Sequence, residues 1–285
     1  MSDDAVIVHA PRAARLPLVL DSPHSGERYP GDFDFAAPLA IVRQAEDTHV
    51  ARLWLPALDY GATLVEATFP RAYIDANRSL DDVDLDLLDD AWPAPVARSR
   101  KAELGVGLVW RLAHGGVPMY ARRLRAAEVA QRIERCWQPY HQALALALDA
   151  RHREFGSVWH LDCHSMQSVG DALSDDVGHE RADFVLGDRD GTTCDASFTE
   201  WVAATLRGFG YGVAINDPYK GVEIVRVHGR PHERRHSLQV EINRRLYMDE
   251  RTLVPHEGYG RLQRDLGRLA AALASYVAER VSARA

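Results

Sequence analysis

Trp159-His160-Leu161-Asp162-Cys163-His164-Ser165-Met166 is an apolar run that ends by presenting an aspartate and a histidine two positions apart. On a β-strand, residues i and i+2 point to one face, so Asp162 and His164 project together at the strand's carboxyl end. A metal-ligating histidine normally gives its second ring N–H to a carboxylate or carbonyl, which suits an acid at this spacing to ligation or to support of a ligand. Taken alone, a histidine that caps a strand accounts for the stretch equally well. The segment Leu18-Val19-Leu20-Asp21-Ser22-Pro23-His24-Ser25-Gly26 repeats the arrangement, with an apolar run delivering a histidine into a Pro/Gly turn.

Outward from these two runs, short apolar segments alternate with longer amphipathic ones. This is the pattern of an α/β protein whose mixed or parallel sheet is covered by helices. Strands are expected near 17–21, 62–67, 72–75, 157–162, 183–186, 212–215 and 238–242, and helices at about 46–59, 121–149, 195–209 and 257–280. In the longest helix Leu124, Ala127, Val129, Ile133, Trp137, Tyr140, Leu144 and Leu148 recur close to the helical period, so its aromatics read as core. Segment 79–105 carries Asp81, Asp82, Asp84, Asp86, Asp89 and Asp90 before Trp92-Pro93-Ala94-Pro95 and reads as a solvated loop. Its spacing lacks the glycine and terminal glutamate of a calcium loop. With no internal repeat or low-complexity linker, residues 1–285 read as a single domain.

The 285 residues, 46% of them hydrophobic, suffice for a sizeable core, and the net charge of −7 is scattered. No nucleic-acid-binding face is indicated, so an anionic small-molecule substrate would need local arginines. Cys136, Cys163 and Cys194 are odd in number and widely spaced, against both a disulfide framework and a cysteine zinc cage. No apolar stretch approaches the roughly 18 residues of a membrane span, and a cytoplasmic protein is expected.

Pro70-Arg71-Ala72-Tyr73-Ile74-Asp75-Ala76-Asn77-Arg78 begins as a strand and ends in polar groups suited to holding a carboxylate. In Leu238-Gln239-Val240-Glu241-Ile242-Asn243-Arg244, Glu241 falls inside an apolar strand pattern. A carboxylate buried there is either paired or kept for proton transfer. Cys163 points away from His164 on a strand and reads as core. His228, His232 and His236 have the i+4 spacing of a helical metal site, but Gly229 and Pro231 break that helix. His49 reads as a packed or surface histidine.

Asp21–Gly26, Glu46-Asp47, Pro70–Arg78, Asp162–Ser165, Gly187-Asp188-Arg189-Asp190-Gly191-Thr192, Asn216-Asp217-Pro218-Tyr219-Lys220-Gly221 and Gln239–Glu250 occur in this order over most of the chain. The ordered set resembles the motifs of the N-formylglutamate amidohydrolase family, which is similar in architecture to zinc carboxypeptidases and aspartoacylase. The resemblance implies a three-layer α/β/α fold around a mixed sheet of about eight strands. It implies a zinc-dependent amidohydrolase acting on N-formyl-L-glutamate, as in histidine degradation. His24 and His164 are the implied zinc ligands, Glu241 the base for the attacking water, and Asn77 and Arg78 the carboxylate binders. The third ligand is Asp47, preferred to the Glu27 of His24-Ser25-Gly26-Glu27, which matches the carboxypeptidase His-x-x-Glu pattern. Asp162 is the stronger of two supports for a ligand and Asp75 the weaker. Arg71, Lys220 and Arg244 are available for the second carboxylate of a glutamate product. Rival readings are a hydrolase of another N-acyl amino acid or short peptide, a noncatalytic metal- or carboxylate-binding module, and a cysteine hydrolase using Cys163 or Cys194.

Overall fold

The structure is a computed structural model that describes residues 4–97, 99–171, 174 and 176–282. Nine strands are assigned among the described residues: β1 (Val6–His9), β2 (Leu18–Ser22), β3 (Thr63–Ala67), β4 (Leu112–Ala113), β5 (Val117–Pro118), β6 (Val158–Met166), β7 (Phe184–Gly187), β8 (Val213–Ile215) and β9 (Arg235–Asn243). Seven form one sheet in the order β1-β3-β2-β6-β9-β7-β8, and β4 and β5 form a separate hairpin. β2, β3, β6 and β9 pair in parallel, β7 runs antiparallel to β9, and β8 is parallel to β7, so the sheet is mixed as expected. Its seven strands among the described residues agree with the mixed sheet of about eight that the resemblance implied.

The described residues divide into two compact units, one drawn from 4–7, 23–48 and 67–142, the other from 8–22, 49–66 and 143–282. In the second unit the alternation of strand residues sorts side chains into two faces. Leu18 and Leu20 of β2, Trp159, Leu161 and Cys163 of β6, and Leu238, Val240 and Ile242 of β9 join one apolar core. That core includes Val50, Leu53 and Trp54 of the helix Val50–Trp54, Phe198 and Val202 of Ala196–Gly208, and Leu266, Leu269 and Leu273 of Gly258–Ser282. Burying each such leucine stabilises the fold by about 1.5–3 kcal/mol. The alternate positions, Asp21, His160, Asp162, His164, Ser237, Gln239 and Glu241, are polar and also buried. Buried polar groups require partners, and these residues form the site described below.

In the first unit the expected strand at 72–75 is a buried turn. The Asp75 N–H donates to the Leu108 carbonyl at 2.8 Å, so the apolar run reflects burial and not strand pairing. Arg132 fills the interior beside it. Its guanidinium stands 4.2 Å from the Tyr73 ring centroid and donates to the Tyr73 carbonyl and to the Tyr120 hydroxyl. The helix expected over 121–149 starts instead at Ala126, passes through a π turn at Ile133–Trp137 and continues over Gln138–Phe155. Trp137, the last residue of the π turn, donates to the Arg78 carbonyl at 3.0 Å and stacks on His141.

The helix expected at 46–59 is also broken. His49 has a φ of 73°, which ends any helix there, and an α turn Val50–Trp54 runs into a 3₁₀ segment Leu55–Tyr60 that accommodates Pro56. His49 is packed, with Nε2 3.0 Å from the Leu253 carbonyl. Among its described residues, segment 79–105 is a loop apart from a 3₁₀ turn Leu85–Leu87 and a short helix Arg100–Glu103. His228, His232 and His236 fall respectively in a helix, a 3₁₀ turn and β9, which rules out their sharing a helical face.

Candidate metal centre

β2 ends at Ser22, and Pro23 turns the chain so that His24 follows two residues beyond the strand. Gly26 lets this loop pass against the Thr68–Phe69 backbone, where a Cβ would collide with the Phe69 carbonyl. The His24 carbonyl accepts from the Asp47 N–H at 2.9 Å, and the Ser25 hydroxyl donates to the Asp47 carbonyl at 3.1 Å, so the two segments are tied backbone to backbone. Neighbouring Glu46 is engaged separately by the Tyr29 hydroxyl at 2.5 Å and the Arg43 guanidinium at 3.1 Å. Its burial raises the carboxyl pKa against those partners.

His24 Nδ1 lies 3.3 Å from Asp47 Oδ2, and Nε2 lies 2.7 Å from Asp75 Oδ1. A carboxylate only accepts, so Nε2 carries the proton toward Asp75. Asp75 also accepts from the Asn77 N–H at 2.9 Å and from Arg71, through Nη2 at 2.9 Å and Nε at 3.2 Å. Burial alone would raise the Asp75 pKa, but Arg71, His24 and Arg78 outweigh it and hold this carboxyl well below the usual range. The acid that sequence reasoning ranked second as a ligand support is therefore the one facing His24.

On β6, His164 Nε2 lies 2.7 Å from Asp162 Oδ1, and both residues are buried. Burial raises the Asp162 pKa, Asp21 adds to the rise, and His164 opposes it. His164, Asp47 and His24 form a group of three buried residues that can each offer one ligand atom, all within 4.8 Å of one another. Glu27 is exposed and pairs with Arg43 at 3.6 Å, outside that group.

On β9, Glu241 is the register partner of His164, and Gln239 that of Asp162. Gln239 Nε2 donates to Glu241 Oε1 at 2.8 Å, which orients the carboxylate on the polar face. Arg244, just past the strand, is buried and donates from Nε to the Ser165 hydroxyl at 3.1 Å. Arg78 is buried as well, with Nη1 donating to the Asn77 carbonyl at 2.9 Å and Nε to the Val106 carbonyl at 3.3 Å. Arg71 spends its fork on Asp75. Lys220 lies at the surface in an exposed ion pair with Asp190 at 2.9 Å.

Sequence reasoning passed over His160. Its Nε2 is 2.8 Å from Asp21 Oδ1 and its Nδ1 is 2.8 Å from the Ser237 hydroxyl. The only available signal was its position two residues before Asp162 on the same strand face. The cysteines lie apart from this chemistry. Cys163 is in the core with its thiol pushed well above its ordinary pKa by burial, and burial lifts Cys136 to about 11 and Cys194 to about 12.

A mixed α/β sheet with two carboxylate-backed histidines and a third acid is the donor set that metal hydrolases use. Residues 16–248 match the family model described as N-formylglutamate amidohydrolase. The chain belongs to the N-formylglutamate amidohydrolase family, hydrolases that act on an amide bond. It is 30% identical over 244 residues to the N-formylglutamate deformylase of Pseudomonas putida, covering 83% of each chain. The enzyme of the same name from Pseudomonas aeruginosa is 30% identical over 246 residues, covering 84% of this chain and 85% of that one. The crystal structure of N-formylglutamate amidohydrolase from Ralstonia eutropha JMP134 superposes with a TM-score of 0.91 at 46% identity, covering 96% of this chain and 99% of that one. A gene product of Agrobacterium tumefaciens, at 18% identity and a TM-score of 0.66 with 98% and 96% coverage, shares the fold. Among the described residues no helix is long and apolar enough to cross a membrane.

Proposed function

We propose that this chain hydrolyses N-formyl-L-glutamate to L-glutamate and formate, with one zinc ion held by His24, Asp47 and His164. The observation that carries the reading is the buried three-residue group whose two histidines each turn Nε2 to a second carboxylate. For His24 the hydrogen bond to Asp75 sets the ring tautomer and leaves Nδ1 on the side of Asp47. The donor set therefore fits zinc, which prefers nitrogen and oxygen ligands in a site with three protein donors. When bound, zinc lowers the pKa of water to about 7 and polarises a carbonyl.

Glu241 is the general base in this reading. It takes a proton from the attacking water, the water oxygen bonds to the formyl carbon, and the carbonyl oxygen gathers negative charge. Collapse of the tetrahedral species breaks the C–N bond, and Glu241 returns the proton to the departing nitrogen. The Gln239 amide keeps one Glu241 oxygen in place through this exchange. Arg78 and Asn77 receive one substrate carboxylate, and Arg244 receives the other through its planar fork. Asp75 occupies the Arg71 guanidinium, so Arg71 acts by holding Asp75 against His24.

A cytoplasmic enzyme of histidine degradation is the setting this reaction implies. The test is turnover of N-formyl-L-glutamate compared with N-acetyl-L-aspartate and C-terminal dipeptides. Formylglutamate should exceed the others in kcat/KM by at least about tenfold. Preference for either rival substrate would move the assignment to that acyl amino acid or peptide.

A further inference from the structure

β6 carries His160, Asp162 and His164 at alternate positions on one face. The register partner of Asp162 on β2 is Asp21, and that of His160 on β9 is Ser237. His160 bridges the two outer strands, with Nε2 2.8 Å from Asp21 Oδ1 and Nδ1 2.8 Å from Ser237 Oγ. Ser, His and Asp in this order have the composition of a nucleophilic triad. Asp21 and Ser237 are 0% exposed and His160 1%, so the serine presents no surface to a substrate. The array must act through its neighbours.

Those neighbours are two carboxylates side by side. Register partners on adjacent parallel strands stand about 4.8 Å apart, so Asp21 and Asp162 face the same buried space. An ionised carboxylate only accepts hydrogen bonds, and each acid lies against an imidazole, Asp21 Oδ1 2.8 Å from His160 and Asp162 Oδ1 2.7 Å from His164. A buried carboxylate that loses a donor pays a desolvation cost and turns toward another donor within reach. For Asp21 the next imidazole along the row is His164. We propose that His160 is a positioning residue for the metal centre, holding the Asp21 carboxylate away from the Asp162–His164 pair and so fixing how the His164 ring meets the ion. This rests on the reading of His164 as a metal ligand.

The two ring nitrogens of His160 are separable by substitution. In His160→Gln the side-chain amide reaches the Nε2 position and keeps a donor for Asp21. In His160→Asn it reaches only the Nδ1 position and gives that donor up. Zinc affinity of the purified full chain, by competition with a chromophoric chelator, is the readout, with the thermal midpoint of the metal-free protein beside it. The Asn variant should bind zinc about 10–100-fold more weakly and the Gln variant within about threefold of the native chain. His160→Asn combined with Asp21→Asn removes the displaced carboxylate and should recover most of that loss. This recovery also covers the case in which His160→Asn alone does not fold. Native-like zinc affinity in His160→Asn overturns the proposal, as does an equal loss in both single variants that tracks the thermal midpoint. A native chain that binds no zinc overturns the metal reading itself, and this inference with it.

Discussion

His24 Nε2 and Asp75 Oδ1 stand 2.7 Å apart with both residues buried, and Asp75 Oδ2 on the far side accepts from Arg71. A guanidinium, a carboxylate and an imidazole thus form one line that ends on a member of the three-residue group. Asp75→Ala removes the acceptor that orients the ring and should weaken zinc binding about 10–100-fold. Chelator competition measures it, and native affinity in that variant would detach Asp75 from the metal.

Glu241 lies beside His164 across the β6–β9 pairing and belongs to no predicted ligand set. Glu241→Gln keeps the side-chain shape and loses the base. Formate release should fall by about 10²–10⁴-fold, the range that a positioned base contributes, while zinc content by atomic absorption stays at the native level. Near-native turnover would move the base elsewhere, and a loss of zinc would make Glu241 a ligand.

Arg78 and Lys220 were both read as substrate cations, and their surroundings separate them. Arg78 is buried and held by the Asn77 and Val106 carbonyls, whereas the Lys220 ammonium sits in an exposed pair with Asp190. Arg78→Lys keeps the charge without the planar fork, and should raise KM for formylglutamate about tenfold with little change in kcat, the signature of lost uniform binding. Lys220→Ala should leave KM unchanged within error. A KM effect at Lys220 comparable to that at Arg78 would contradict this division.

Burial lifts the pKa of each cysteine, to about 11 for Cys136, to about 12 for Cys194 and well above the ordinary thiol value for Cys163. A thiol with a raised pKa remains protonated, and unreactive, at pH 8. Iodoacetamide at pH 8 should therefore leave activity intact on a timescale over which a chelator abolishes it. Rapid inactivation by the alkylator would revive the cysteine hydrolase.

The two polar-apolar strands were legible because β6 and β9 alternate, one face joining the apolar core and the other carrying His164 and Glu241. The run Ala72–Ile74 misled because a turn can be as buried as a strand, and nothing local reveals the absence of a pairing partner. The break at His49 was invisible for a related reason, since a positive φ at a non-glycine residue leaves no compositional mark. β1, at the sheet edge and partly exposed, is four residues long and offered too short a pattern. Of the site, His24, His164 and Glu241 stood out through the ordered motifs. The roles of Asp75 and His160 depend on partners 51 and 139 residues away, which no local spacing encodes.

The most direct measurement is formate release from N-formyl-L-glutamate by the purified chain as isolated, after chelation and after zinc is added back. Release that disappears on chelation and returns with zinc is the predicted result, tying the reaction and the ion to one site. Release that persists in the fully metal-depleted protein would contradict the central claim.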